Sequence, residues 1–238
     1  MSRTLPRFYC DDLASGILTE SESAHAVKTM RLTVGSELEL LDGKGIRLRA
    51  EIAGITNHCV QFIEIHRTHF ERSGPALHIA ISPPKSIDRF LFFVEKATEL
   101  GITSITPLIS QHSERSKLNV EKIRKTITAS LKQSGNPFLP QLKDSLSFVD
   151  LVKNSRLPSA RFIAHCREDG QKQALSALLQ KLPELVVIIG PEGDFTQEEI
   201  NLALENKFTP VSLSENVLRT ETAGIAVCSI VLSTYSAL

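Results

Sequence analysis

The sequence predicts two domains, a small β-barrel or sandwich followed by a larger α/β domain, because the apolar pattern changes along the chain. Residues 36–65 alternate apolar and polar positions in short segments, with Gly-rich connections at Asp42–Gly45 and Gly54–His58, as β-hairpins do. After a polar linker at 66–75, strand-like and helix-like segments alternate, which is typical of a mostly parallel sheet covered on both faces. We therefore place the domains at residues 1–72 and 73–238.

The elements of the α/β domain follow one another in a regular order. Strands are predicted at 77–82, 105–110, 161–166, 185–190 and 211–213. Helices are predicted at 86–101, at about 119–134, near 171–181, at 196–206 and from about 220. Ser86 is placed to cap the first of these helices, and Gly101 is placed to end it.

Composition narrows the class of protein. The 27 Lys and Arg residues equal the 27 Asp and Glu residues, so bulk charge does not indicate nucleic-acid binding. The four cysteines lie far apart, which suits a reducing cytosol, and the N-terminus lacks an apolar signal core. No window approaches the roughly 18 apolar residues of a membrane span. His66 and His69 lack a framework of further ligands. We therefore expect a cytoplasmic protein without a metal site.

The segment VVIIGPEGDF, Val186–Phe195, indicates a ligand site. A buried strand that ends in a glycine-bearing loop and continues into a helix is where α/β proteins bind ligands. The loop matches no phosphate-binding pattern, and Glu192 and Asp194 would repel a pyrophosphate. The two carboxylates instead suit a ligand with ribose hydroxyls or a positive centre. The alternative is a tight turn in which Thr196 caps the next helix.

A second unusual segment is LSENVLRTETAGIAVCSIVL, residues 213–232. Its polar beginning contains Arg219, Thr220 and Glu221 and leads directly into an apolar helix rich in small residues. Small residues permit close backbone approach, either to another helix or to a ligand. A helix that served only for packing would not need this polar entrance, so the segment favours a functional role.

Together the two segments carry a resemblance to a known family. IGPEGDF and, further along the chain, LRTETA resemble the signature of the SPOUT-class RNA methyltransferases, in particular the RsmE family, which methylates N3 of a uridine in 16S ribosomal RNA. The likeness extends to Arg7-Phe8-Tyr9, His25, Met30-Arg31, Gly35, EKATELGITSITPLISQHSERS (95–116) and Gln133-Ser134. The chain departs from the family at Asp194, Asn136 and 213–216, where the family usually has Gly, a nearby Arg and Leu-Gly-x-Arg.

The resemblance implies a fold and a cofactor. The family has an N-terminal barrel that resembles a PUA domain and a C-terminal SPOUT α/β domain whose chain forms a deep trefoil knot. Its cofactor, S-adenosylmethionine, is held largely by backbone groups of three loops. Carried over to this chain, the cofactor-binding residues are His165, Cys166, Ile189, Gly190, Pro191, Glu192, Gly193, Leu213, Ser214, Asn216, Leu218 and Thr220.

The reaction that the resemblance implies needs two kinds of group. Uridine N3 carries a proton that must leave as the methyl group arrives, so a proton acceptor is required, and a cation is required near O2 or O4. Arg219 and Arg115 are the candidates for the cation, and Glu192 or Glu221 for the acceptor. A structural role, in which either Glu accepts hydrogen bonds from loop amides, is the open alternative.

The resemblance also implies partners, namely 16S rRNA of the small ribosomal subunit and a second copy of the chain in a homodimer, with no DNA and no membrane. Between His112 and Lys132, six Lys or Arg side chains stand against two Glu, although such a run is usually a solvated helix face. The candidate RNA-binding residues are Arg7, Arg31, Arg89, Arg115, Lys122 and Arg124, and Arg3 would add to the basic surface of the barrel.

Other functions stay open at this point. A ribose 2′-O-methyltransferase would differ in the atom that gains the methyl group. A non-catalytic RNA-binding or ribosome assembly factor that keeps the fold would not bind the cofactor. A nicotinamide-dependent enzyme is disfavoured, because the sequence has no dinucleotide-binding fingerprint.

Overall fold

The structure is a computed structural model that describes residues 5–57, 59–167 and 172–236. Arg3 and His58, which belong to two of the predictions above, lie outside these ranges. One unit comprises the described residues up to Arg72 together with Thr128–Leu139, and the other comprises Ser73–Ile127 and the described residues from Pro140 onward. None of the helices within the described ranges has both the length and the apolar character that crossing a membrane requires.

The described residues of the first unit form a four-stranded sheet. Its strands are β1 (Arg7–Tyr9), β2 (Glu37–Leu41), β3 (Ile46–Thr56) and β4 (Cys59–His69), in the order β1-β2-β3-β4. β1 pairs with β2 in parallel, and the other neighbours are antiparallel. Gly43 and Gly45 join β2 to β3 with φ angles of 73° and 112°, which only glycine adopts without strain. The first predicted hairpin is therefore confirmed.

The second predicted hairpin is also confirmed, because β3 and β4 pair antiparallel, but two predicted bounds in this unit were wrong. Gly54 does not end a strand, because β3 continues to Thr56 and the register with β4 shifts between Ile52 and Gly54, which is the signature of a β-bulge. The predicted linker at 66–75 is strand up to His69, because β3 supplies pairing partners for His66 to His69 as it does for the earlier part of β4. The side chains of β4 are mostly exposed in that part, so its apolar pattern resembles a loop.

A short helical segment covers the sheet of the first unit. Helix α1 (Glu20–Ala24) begins at Thr19, whose hydroxyl accepts a hydrogen bond from the Glu22 N–H, and continues as a π-helical turn over His25–Thr29. The core of the unit is apolar and buried. It comprises Phe8, Cys10, Leu18, Ala26, Leu38, Leu40, Leu48, Ala50, Ile52, Val60 and Phe62.

The second unit contains a sheet in which every pairing between described strands is parallel, as predicted. Its strands are β5 (Ala76–Ile81), β6 (Ser104–Ile109), β7 (Gln141–Leu142), β8 (Leu146–Ser147), β9 (Ala160–Ala164), β10 (Gln173–Ala174), β11 (Glu184–Ile189) and β12 (Thr209–Ser212). Their order is β10-β12-β9-β11-β5-β6-β7, and β8 pairs with β6. The centre of the sheet is buried on both faces, which explains the uninterrupted apolar run Leu185–Ile189.

Beyond β5 the described residues contain six helices, and the residues of the second of them from Thr128 onward belong to the first unit. The helices are α2 (Ile87–Glu99), α3 (Val120–Ser134), α4 (Phe148–Val152), α5 (Leu175–Leu178), α6 (Gln197–Glu205) and α7 (Thr220–Ser236). Thr196 caps α6 as predicted, since its hydroxyl accepts from the Glu199 N–H while the Glu199 carboxylate accepts from the Thr196 N–H. Gly101 follows α2 at a φ of 82°, which confirms its role at the end of that helix.

Three details of the helices differ from prediction. Ser86 occupies the capping position of α2, but its side chain makes no capping hydrogen bond. The helix predicted near 171–181 is limited to the single turn of α5, because Gln173 and Ala174 pair with β12 instead, and Gln171 lies outside the described residues. Helix α4 was not predicted; the Ser147 side chain caps it, and Phe148, Leu151 and Val152 are buried.

Candidate functional site

A cavity of about 360 Å³ lies at the carboxyl ends of β9, β11 and β12. This is the edge of a parallel sheet at which α/β proteins bind ligands, and the volume lies within the range of small-molecule sites. The segment between β12 and α7 and the first turn of α7 complete its lining. The strand end in VVIIGPEGDF and the polar entrance to the last helix therefore meet at one site.

All of the predicted cofactor-binding residues except Glu192 and Gly193 line this cavity. The Glu192 carboxylate instead accepts a hydrogen bond from the Lys85 N–H, at 3.1 Å. Gly193 lies against His112, whose Cβ would be 3.1 Å from a Cβ added at the glycine. The lining residues that the sequence reasoning missed are Ala164, Lys172, Asp194, Val211, Ser212, Glu215, Val217 and Ala223. Except for Lys172, they are close neighbours in sequence of predicted residues, and this proximity was the available signal.

The turn Gly190–Asp194 has a constrained backbone. Gly190 is buried, and a Cβ added there would lie 3.2 Å from two ring carbons of Phe195, so only glycine fits without displacement. The Asp194 N–H donates to the Pro191 carbonyl at 3.0 Å, which closes the turn. Asp194 adopts a φ of 59°, in the left-handed region that favours glycine, Asn and Asp. The sequence expectation of a tight turn is therefore confirmed.

Four neighbouring segments fix this turn through hydrogen bonds. The Lys85 N–H donates to Glu192 as described, and the Thr220 hydroxyl donates to the Gly190 carbonyl at 3.1 Å. The Cys166 N–H donates to the Asp194 carboxylate at 2.9 Å. His112 Nδ1 lies 3.1 Å from the Gly193 carbonyl and 3.0 Å from that of Asp194, so this nitrogen carries the hydrogen. His112 lies within the segment 95–116 that carries the family resemblance, but no role was predicted for it, since its partners are more than 80 residues away.

Charge is unevenly distributed around the cavity. Its described lining contains two carboxylates, Asp194 and Glu215, and one ammonium group, Lys172. Desolvation, followed by the neighbouring Asp194 carboxylate, raises the pKa of the Cys166 thiol, and Lys172 opposes this effect. The cavity is therefore better suited to a neutral or positively charged ligand than to a phosphate, as the sequence of the turn predicts.

The predicted catalytic residues occupy three different settings. Arg219 is exposed between Leu218 and Thr220, which line the cavity, and no described residue bonds to its guanidinium. Arg115 donates from Nε and Nη2 to the Lys85 carbonyl, at 3.1 and 2.6 Å, so Arg115 and Glu192 bind the same short segment. Glu221 is buried, and its Oε1 lies 3.8 Å from Arg89 Nε.

The predicted RNA-binding residues also divide into groups. Arg31 and Arg124 are exposed, and Lys122 is exposed with its Nζ 3.6 Å from Asp88. Arg7 is half-buried within the first unit, where it donates to Glu39 at 2.9 Å and to the Gln133 carbonyl at 3.1 Å. Arg89 and Arg115 have the partners described above. Among the predicted RNA-binding residues, the exposed positive charges therefore lie on the first half of α3 and at Arg31.

The described residues contain no cluster of three His, Cys, Asp or Glu side chains suited to hold a metal ion. The seven His residues of the sequence were not expected to form one.

Sequence comparisons identify both parts of the chain. A family described as RNA methyltransferase domain matches residues 72–232, and one described as RNA methyltransferase PUA domain matches residues 18–65. The protein of Rickettsia conorii named Ribosomal RNA small subunit methyltransferase E is 30% identical over 212 residues, which cover 87% of this chain and 85% of that protein. The protein of the same name from Bacillus subtilis is 27% identical over 218 residues, with coverages of 87% and 85%.

Solved structures have the same fold over nearly the whole chain. A protein from Porphyromonas gingivalis, described as a probable rRNA-methyltransferase, matches with a TM-score of 0.88 at 28% identity, covering 98% of this chain and 99% of that chain. A Legionella pneumophila protein, described as a methyltransferase and solved in complex with the bound cofactor SAM, has a TM-score of 0.84 at 26% identity, covering 97% and 98%. These matches confirm the predicted PUA-like and SPOUT-type fold, whereas the trefoil knot stays a prediction. The chain belongs to the RNA methyltransferase family whose members are named Ribosomal RNA small subunit methyltransferase E.

Proposed function

We propose that this chain methylates N3 of a specific uridine in 16S rRNA of the small ribosomal subunit, with S-adenosylmethionine as the cofactor. The observation that carries the proposal is the cavity at the carboxyl ends of β9, β11 and β12, which unites the two sequence segments behind the RsmE resemblance. Membership of the family and the SAM-bound Legionella relative support it.

The cavity fits the proposed cofactor in size and chemistry. Its volume of about 360 Å³ suits a nucleoside derivative, and Ile189, Leu213 and Leu218 provide apolar surface for a purine ring. The loops that line it offer main-chain N–H and C=O groups, which can meet the edges of an adenine. When bound, S-adenosylmethionine supplies a methyl group on a positively charged sulfur. A lining with two carboxylates and one ammonium is compatible with that charge.

We assign the proton transfer and charge stabilisation to residues around the turn. The guanidinium of Arg219 is free to approach uridine O2 or O4, where negative charge develops as N3 loses its proton. Glu221 is the proposed proton acceptor, and its buried carboxylate faces Arg89. Arg115 and Glu192 affect the same reaction indirectly, since Arg115 binds the Lys85 carbonyl and Glu192 binds the Lys85 N–H. These bonds favour a positioning role for the two residues.

RNA binding is proposed for both parts of the chain. We propose that residues 1–72 form the PUA-like RNA-binding domain and 73–238 the catalytic domain, with Arg31, Lys122 and Arg124 contacting phosphates. Arg7, Arg89 and Arg115 would contribute to RNA binding only by exchanging their present partners. We further propose a cytoplasmic homodimer, for which the small residues of α7 permit close helix packing.

The test is methyl transfer from labelled S-adenosylmethionine to small ribosomal subunits that lack the modification, followed by mass spectrometry of the nucleosides. We expect a single 3-methyluridine. A 2′-O-methylated nucleoside would replace the proposal with the ribose methyltransferase alternative. Absence of cofactor binding by calorimetry would favour a non-catalytic RNA-binding or assembly factor. Subunits that already carry the modification are the matched control, and they should accept no label.

A further inference from the structure

Asp194 stands where the backbone suits glycine best and also accommodates Asn and Asp. Its φ of 59° lies in the left-handed region, in which glycine carries no steric penalty and aspartate carries a modest one. The turn itself is closed by the Asp194 N–H, which donates to the Pro191 carbonyl and would do so with any side chain. The backbone therefore admits glycine and Asn as well as Asp, and what sets Asp apart from them is the charge of its carboxylate.

The carboxylate of Asp194 connects two of the loops that line the cavity. Its Oδ2 accepts a hydrogen bond from the Cys166 N–H at 2.9 Å, across 28 residues of sequence. His112 Nδ1 meanwhile donates to the Asp194 carbonyl, so the residue is held on its main chain as well as its side chain. This bond satisfies a backbone N–H at the end of β9 that would otherwise be available to a ligand. The bond thereby links the turn Gly190–Asp194 to Cys166, two residues after the end of β9.

The same carboxylate places a negative charge in the lining of the cavity. Asp194 is half-buried, and its charge is therefore screened less than one on the open surface. Of the other charged groups in the described lining, Glu215 is exposed and adds to the negative potential, whereas the half-buried Lys172 opposes it. A positively charged ligand gains from this balance, and a neutral ligand of the same shape does not.

We infer that Asp194 is a specificity-determining residue, which binds the Cys166 N–H and favours the positively charged cofactor over its neutral product. The inference rests on the proposed function. In methyl transfer the carbon–sulfur bond breaks, sulfur keeps the electron pair and loses its positive charge, and the carbon bonds to N3, whose proton passes to the acceptor. S-adenosylhomocysteine, the product, lacks the transferred methyl group and the sulfonium charge and is otherwise the same molecule. Asp194 therefore weakens retention of the product relative to the cofactor.

The experiment measures the dissociation constants of S-adenosylmethionine and S-adenosylhomocysteine by calorimetry. Asp194→Asn keeps a residue that tolerates the left-handed backbone and an oxygen that can accept from Cys166, but it removes the charge. Asp194→Gly keeps the backbone and removes both charge and hydrogen bond. Glu205→Gln, at the exposed end of α6 and away from the cavity lining, is the matched control for loss of one negative charge.

We expect Asp194→Asn to raise the ratio of the dissociation constant of S-adenosylmethionine to that of S-adenosylhomocysteine by about three- to tenfold, as loss of a single screened charge does. Asp194→Gly should shift the ratio similarly and also weaken both ligands by about three- to tenfold, because the Cys166 N–H loses its partner. Glu205→Gln should leave the ratio unchanged. Both aspartate variants are compatible with the φ angle, and thermal unfolding checks that each is folded.

The outcomes separate this inference from the proposed function. If the unaltered protein binds both ligands and Asp194→Asn leaves their ratio unchanged, the inference is overturned while the proposed function stands. An equal shift in Glu205→Gln would also overturn it, because the effect would then belong to overall charge. If the unaltered protein binds neither ligand, the proposed function itself is overturned.

Discussion

The loops around the cavity and the first half of helix α3 use polar side chains in different ways. Around the cavity, Asp194 and Thr220 bond to backbone groups of neighbouring loops, at 2.9 and 3.1 Å. On α3, the ion pairs of Lys122 with Asp88 and of Lys125 with Glu121 have distances of 3.6 and 3.4 Å, and all four side chains are more than half exposed. The cavity side chains are therefore hydrogen-bonded within the protein, whereas the charged side chains of α3 are exposed to solvent.

This difference indicates two separate tasks. A side chain that satisfies a buried or partly buried backbone group fixes a geometry, and its removal leaves that group without a partner. Exposed ion pairs contribute little to stability, so the cations of α3 stay available to a polyanion such as RNA. Changes around the cavity should therefore alter stability, cofactor binding or chemistry, and changes on α3 should alter RNA affinity and its salt dependence.

Arg219 would break this division, because it is an exposed cation within the cavity loops. We expect Arg219→Ala to lower kcat by about 100-fold or more, as removal of a group that stabilises developing negative charge does, and to change the dissociation constant of S-adenosylmethionine by less than about threefold. Single-turnover methyl transfer and calorimetry measure the two quantities. Lys153→Ala, an exposed cation at the end of α4, is the control. An equal loss of turnover and cofactor binding would contradict the assigned role.

Gly224 tests whether close packing beside the cavity loops supports their geometry. A Cβ at this position of α7 would lie 2.5 Å from two ring carbons of Phe93, in the core of the second unit. Overpacking of this kind costs roughly 1–3 kcal/mol, which exceeds the helix propensity that alanine adds. We expect Gly224→Ala to lower the free energy of unfolding and to weaken the cofactor, because Ala223 and Thr220 line the cavity. Ser229→Ala, at an exposed site of the same helix, should change stability by less than about 0.5 kcal/mol.

Substitutions on helix α3 test the other part of the comparison, the solvent-exposed cations. We expect Arg124→Gln with Lys125→Gln to leave the midpoint of thermal unfolding unchanged and to reduce the slope of log affinity for RNA against log salt by about 2. Lys132→Gln is the contrasting variant, because this ammonium lies 2.6 Å from the buried carboxylate of Glu22. It should lower stability by about 1–3 kcal/mol and change the salt slope little. An unchanged slope in the double variant would remove α3 from the RNA surface.

Cys166 gives the smallest and most local test. Desolvation and, after it, the Asp194 carboxylate raise the pKa of this thiol, so removal of the carboxylate charge lowers that pKa and increases the thiolate fraction at a fixed pH. At pH 8 we expect Asp194→Asn to speed alkylation of Cys166 by iodoacetamide by about two- to fivefold, measured by peptide mass spectrometry. Alkylation of Cys59, in the other unit, is the internal control and should not change. Slower alkylation at Cys166 would contradict the electrostatic account.

The local features of the chain were predictable from neighbouring residues. The hairpin at Gly43 and Gly45, the strand Glu184–Ile189 and the capping of α6 by Thr196 were all anticipated, because each depends on backbone preferences within a few residues. The errors fall where long-range pairing overrides local pattern. β4 extends through a polar segment because β3 pairs with it, and α5 is short because β12 pairs with the residues before it.

The sequence by itself determined the alternation of strands and helices, the tight turn at Gly190–Asp194 and, through the resemblance, the residues expected around the cofactor. Only the tertiary structure decided which of their side chains meet. It showed that Asp194 accepts from Cys166 and that His112 donates to the same turn. It also showed that Arg115 and Glu192 bind one segment at Lys85. The physical reason is that periodicity reports local backbone conformation and burial, whereas hydrogen bonds between loops depend on how strands distant in sequence pair in the sheet.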